Sequence, residues 1–245
     1  GINNKIVLSL VNLMTKSIYY FYDNILVQSP SFKDYLLNQG VKESKIIFYP
    51  YYAESFYNIV EKDSIIKTQY GEGLNIVFAG NIGVAQSFDT IIEAVKILTT
   101  KLKNFKIIII GDGRDKKRVL EKISEYSLDD YFKFLGSFPP EDMPAFFASA
   151  DALLVSLKDT KIFSMTIPGK LQSYLACGKP IIASLNGIGS KIIKESNSGF
   201  TSNAEDPLSL ANSIINFNKL NSSKRKVLGN NARDYYEKEF ERSRL

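Results

Sequence analysis

The sequence has no histidine and only one cysteine, Cys177. A Ser-His-Asp triad and a His/Cys zinc site are therefore impossible within this chain, since each needs imidazole or several thiolates. A single cysteine also excludes an internal disulfide. Cys177 stands beside a glycine suited to closing a helix, a setting of a buried structural thiol rather than a nucleophile. No apolar run approaches the about 18 residues needed to cross a bilayer. The opening GINNKIVLSLVNLMTK lacks the cleavage pattern of a signal peptide, and a cytoplasmic protein is expected. The chain also lacks a Walker loop, a GxGxxG fingerprint and any pair of carboxylates that stands out as an acid and base couple.

What is present is a globular composition. The 245 residues are 44% hydrophobic, enough for one large or two small domains. A net charge of +5 suits an anionic partner, either a phosphate-bearing substrate or an anionic membrane face. Lys and Arg are scattered and no nucleic-acid motif occurs, so no nucleic-acid partner is expected.

Taken in order, residues 5–22 have the spacing of an amphipathic helix, with Ile6, Leu10, Leu13 and Ile18 on one broad face. Core packing is its expected role, and a membrane-surface role the minority one. NILVQ, residues 24–28, is a short strand; Ser29 caps a helix starting at Pro30, Gly40 ends it, and residues 45–49 form the next strand. Two strands and two helices cannot bury both faces of a parallel sheet, so this segment is expected to be the tail of a domain whose beginning lies outside the sequence. Residues 49–70 lack clear periodicity and read as a connector.

A regular alternation follows. Strands are expected at 75–79, 105–110, 131–135, 151–157 and 180–183, with a sixth at 199–201. Between and after them come helical patterns at 88–102, 114–126, 140–150, from Pro168 to Cys177, from Pro207, and at 223–241. Alternation of this kind predicts an α/β fold with a doubly wound parallel sheet, Rossmann-like in architecture.

Ligands of such sheets bind outside the carboxyl ends of the strands. The stretch SMTIPGKLQSYLACGKPIIAS, residues 164–184, lies at such an end. Pro168 suits the first helical position, and Gly178 suits the left-handed closing residue. Gly169 and Lys170 oppose the helix they begin: glycine costs about 1 kcal/mol against alanine in a helix interior, less near an end. Lys170 places a cation at the positive end of the dipole. A bound anion would resolve the conflict, with Gly169 letting it approach the backbone; the plain alternative is a lysine pointing into solvent.

Three further loops belong to the same end. GNIGVAQS, residues 80–87, offers Gly80 and Gly83 for close backbone approach and Asn81 and Gln86 as donors, though a plain turn would also use glycine. GDGR, beginning at Gly111, is mainly a tight turn. GSFPPED offers Ser137 and the ring of Phe138 to a nucleobase, or simply begins a helix. Asp151 is expected to be structural.

Together FAGNIGVAQ, IIIIGDG, FLGSFP, ADALLVSL, IPGKLQSYLACGKPIIAS and GFTSNAEDPLSLANSI resemble the carboxyl-terminal domain of GT-B glycosyltransferases of family 4. The branch they resemble is that of bacterial surface polysaccharides, similar to fucosamine transferases of O-antigen synthesis. The resemblance covers residues 75–218, and residues 20–52 look like the end of the amino-terminal domain. It implies residues 1–56 as the tail of that domain and connector, 57–221 as the nucleotide-sugar-binding domain, and 222–245 as a helix crossing back.

The implied reaction is retaining, metal-independent transfer from a nucleotide diphosphate sugar, with no cofactor. The acceptor is a glycan or a lipid-linked one, at the cytoplasmic membrane face. Catalytic residues are implied on the missing domain. Donor contacts fall on Gly80, Asn81, Gly83, Gln86, Gly111, Ser137, Phe138, Thr166, Gly169, Lys170 and Ser173. The chain departs from the family where two glutamates are common and Met165 and Ser173 stand instead. Asn81 and Gln86 occupy the places of the usual diphosphate Arg and Lys, and Lys170 is expected to supply the cation. These departures leave the base open and admit two other readings, a non-catalytic partner of an active transferase and a sugar-nucleotide epimerase of the same fold.

Overall fold

The computed structural model describes residues 4–244. Its first part is small: α1 (Lys5–Phe21), β1 (Ile25–Val27), α2 (Pro30–Asn38) and β2 (Ile46–Phe48). β1 and β2 form a two-stranded parallel sheet. Ser29 accepts the Phe32 N–H and Pro30 takes the first turn of α2, as the cap signal predicts. The expected core packing of the first helix is not seen, since no residue of α1 is buried. The local core of Val27, Leu36 and Ile46 is too small to cover it.

The expected connector contains a helix, α3 (Ser64–Tyr70), whose start is capped by the Asp63 carboxylate accepting from Ile65 and Ile66. Tyr70 is fully buried and its hydroxyl donates to the Phe146 carbonyl at 2.9 Å, so this short helix is held by tertiary contact rather than by periodicity.

The remainder alternates as β3 (Leu74–Ala79), α4 (Phe88–Leu98), β4 (Phe105–Ile110), α5 (Lys116–Glu125), β5 (Phe132–Gly136), α6 (Met143–Ser149), β6 (Ala152–Ser156), α7 (Lys161–Met165) and α8 (Gly169–Ala176). β7 (Ile181–Ser184), α9 (Ile188–Glu195), β8 (Gly199–Ser202), α10 (Pro207–Asn218) and α11 (Ser222–Glu239) complete it. Helices α7 and α9 fall in stretches where none was expected. The six strands are parallel, in the order β5-β4-β3-β6-β7-β8. This is the doubly wound order, and its switch point lies between β3 and β6.

The central strands are continuous apolar runs because both faces are covered. On one face Val77, Ile108, Leu153 and Ile181 pack against Tyr70, Phe147, Leu171 and Tyr174. On the other, Ile76, Phe78, Ile107 and Leu154 meet Ile91, Val95, Val119 and Ile214. Burying each such side chain contributes about 1.5–3 kcal/mol. Asp151 is structural as expected: its carboxylate accepts the Asn75 N–H at 2.9 Å and pairs with Arg225 at 3.3 Å.

Candidate functional site

The helix expected from Pro168 to Cys177 starts one residue later than the proline signal implies. Pro168 is extended (φ −62°, ψ 128°) and caps α8, so Gly169 and Lys170 are its first residues. A proline ring fits that extended conformation as well as the first helical turn, because both share its φ. Gly178 is left-handed (φ +61°), as expected.

From the start of α8 the Lys170 side chain runs inward to the carboxyl ends of β3 and β4. Its Nζ lies 3.7 Å from the centroid of the Phe78 ring. Part of the stem is accessible, but the ammonium is enclosed and has no hydrogen-bond partner. Burial pushes its pKa down to about 7, because a low dielectric disfavours the cation.

Two glycines make room for it. A Cβ on Gly80 (φ +127°) would stand 3.2 Å from the lysine Nζ, and one on Gly111 (φ +132°) would stand 2.0 Å from the Gly80 carbonyl oxygen. The loops after β3 and β4 therefore lie side by side, tied by Gly80 N–H donating to Ile110 (2.8 Å) and Ile82 N–H donating to Asp112 (2.8 Å). Only residues without Cβ allow this approach.

Above these loops is a cleft of about 490 Å³. Gly80, Asn81, Gly111 and Lys170 line one side, Ser137 and Phe138 another, and Ser173 borders it from α8. Seven of the residues anticipated as donor contacts are thus brought around one cleft: Gly80, Asn81, Gly111, Ser137, Phe138, Lys170 and Ser173. Gly83 and Gln86 instead line a neighbouring cavity of about 350 Å³ with Arg114, and Asn81 borders both. Thr166 and Gly169 line neither. The Thr166 hydroxyl turns back to donate to Ile162, while the space over Gly169 is open.

The cleft also contains residues the sequence did not single out. Tyr57, from the aromatic connector, stacks against Phe147 at 6.2 Å and an interplanar angle of 12°. Burial raises its phenol pKa, and the adjacent Ser173 side chain opposes the rise. The aromatic run YPYYAESFYN was visible, but which ring turns inward depends on contacts remote in sequence. Phe138 lies against Phe146 at 4.4 Å. Asp112, the cleft's carboxylate, accepts the Gly113 N–H at 2.7 Å and pairs with Lys116 at 3.1 Å. That backbone bond, then the lysine, holds its pKa below the usual carboxylate range. Among the described residues no group of three His, Cys, Asp or Glu side chains could hold a metal, and no helix is long and apolar enough to cross a membrane.

Residues 60–235 match the family described as glycosyl transferases group 1. The chain belongs to this group 1 family. One relative is named as the Escherichia coli K12 colanic acid biosynthesis glycosyltransferase WcaL, 24% identical over 168 residues. That match covers 68% of this chain and 41% of WcaL, so the chain spans less than half of this relative. Among solved structures, Anabaena HepE in complex with UDP and glucose superimposes with a TM-score of 0.73 at 18% identity. It covers 91% of this chain and 60% of HepE. The carboxyl-terminal domain of a group 1 protein, LpcC of Francisella tularensis, gives a TM-score of 0.63 at 18% identity, covering 76% of this chain and 97% of that domain. The six-stranded unit has the fold of the GT-B glycosyltransferases, as the motif order implied.

Proposed function

We propose that this chain is the donor-binding part of a glycosyltransferase of bacterial surface-glycan synthesis, with a nucleotide diphosphate sugar held in the cleft between β3, β4 and α8. The observation that carries this reading is the Lys170 ammonium, enclosed, unpartnered and aimed at the nested glycine loops. A buried cation without a partner is costly, and a diphosphate seated over Gly80 and Gly111 supplies the counter-charge. Phe138 offers a face for the base, Ser137 and Asn81 offer hydrogen bonds around it, and Ser173, bordering the cleft from α8, faces the pentose. HepE, a fold relative, is in complex with UDP and glucose, which supports the ligand class.

In this reading transfer is retaining and needs no metal, as in the family 4 enzymes the motifs resemble. The acceptor, glycan or lipid-linked, is held by a second domain at the cytoplasmic membrane face, and this part alone is inactive. Titration calorimetry with UDP, GDP and their sugars tests it. Micromolar to millimolar binding of at least one diphosphate is expected, and a folded chain that binds none overturns the assignment.

The absence of a carboxylate at Met165 and Ser173 favours one second reading, a non-catalytic partner that stabilises an active transferase. Turnover by the full-length protein with a glycan acceptor separates the two.

A further inference from the structure

We infer that the cleft does not select ribose over deoxyribose, so that its donor class includes nucleotide diphosphate sugars built on 2′-deoxyribose. This inference rests on the proposed donor site and concerns the chemistry of its lining. A protein rejects a ligand lacking one hydroxyl when the loss leaves a buried polar group unpaired, and a site built around that hydroxyl discriminates by on the order of 10⁴ or more. Nothing in this cleft meets that condition except the cation.

Each polar group that could face a pentose has another partner at hand. Asp112, the carboxylate of the lining, is already occupied by the Gly113 N–H and the Lys116 ammonium. Ser137 and Asn81 are exposed, so water replaces any bond they lose. Ser173 is a neutral, rotatable and part-exposed hydroxyl that lines the cleft with the Tyr57 phenol, so water or that phenol can replace a bond it loses. The Lys170 Nζ is the one enclosed unpartnered polar atom of the lining among the described residues, and its charge calls for phosphate rather than a sugar diol. Recognition is therefore concentrated on the diphosphate and the apolar wall.

The test compares matched pairs by calorimetry on the chain as it stands: UDP against 2′-deoxyuridine diphosphate, and GDP against 2′-deoxyguanosine diphosphate. For whichever base binds, dissociation constants within about fivefold of each other are expected. A deoxy ligand weaker by more than that overturns the inference while leaving the donor site in place. Failure of all four ligands removes the donor site itself, and this inference with it. Ser173→Glu, which adds a carboxylate able to accept from a diol, is expected to create a preference for the ribose form of more than about tenfold. An unchanged ratio in a folded S173E variant overturns the placing of the pentose at Ser173.

Discussion

Lys170 sets stability against binding within one side chain. Its folded pKa of about 7 lies below the ordinary 10.5, so between those values the unfolded chain holds a proton that the folded chain does not. Stability accordingly rises with pH from about 7 to 10.5, and the cost of enclosing the charge is fully present below pH 7. Lys170→Met removes that cost. Thermal melts at pH 6.5 should show it stabilised by about 1–3 kcal/mol, and the rise in stability above pH 7 should vanish. At this chain length each kcal/mol is about 2–4 °C in Tm. The same variant should lose about 2 kcal/mol or more of nucleoside diphosphate binding while leaving nucleoside binding almost unchanged. In the native protein a bound diphosphate raises the lysine pKa. For a nucleotide diphosphate sugar, whose phosphates do not titrate in this range, affinity should therefore be flat below pH 7 and fall by up to tenfold per pH unit above it, with proton uptake measurable by calorimetry in buffers of different ionisation heat. Gly80→Ala should also weaken diphosphate binding, because its Cβ would meet the ammonium at 3.2 Å on a backbone with φ +127°.

Among the elements, α8 depends on α11 for its position. A Cβ on Gly229 of α11 would lie 2.4 Å from the Gly178 carbonyl oxygen, just past the end of α8, and that oxygen is backbone that cannot swing away. Arg233 reinforces the contact by donating to the Ala176 carbonyl at 2.7 Å, and Tyr236 ties α11 to the connector by donating to Ala53 at 3.2 Å. Gly229→Ala should cost about 1–3 kcal/mol in denaturant unfolding. A concurrent fall in diphosphate affinity would show the strain reaching Lys170 at the other end of the helix. The caps at Ser29-Pro30 and Asp206-Pro207 were legible from residue types because a cap is local. Helices α3 and α9 were not, since each is seven or eight residues long and forms against the sheet rather than by its own periodicity.

Across the whole molecule stability is uneven. The strands β3 and β4 are sealed on both faces, whereas α1 buries no residue. Amide exchange should find α1 close to unprotected and β3 and β4 among the slowest to exchange, with several kcal/mol between them. The strands themselves could be read from the chain: a parallel strand covered on both faces is a near-continuous apolar run, and IVFA, IIII and ALLV say so locally. Their order could not, because crossing from β5 back to β6, on the far side of β3, and out to β8 is settled by helices packing on both faces. The same division runs through the site. The sequence by itself determined that Gly169 and Lys170 oppose their own helix, and that glycine loops follow the strands, because propensity and dipole are local properties. Only the tertiary structure decided that the ammonium is enclosed over Phe78, that Gly80 and Gly111 meet, that Tyr57 joins the cleft, and that Gly83 and Gln86 face a neighbouring cavity. Enclosure and convergence are made by residues far apart in the chain, and no local pattern records them.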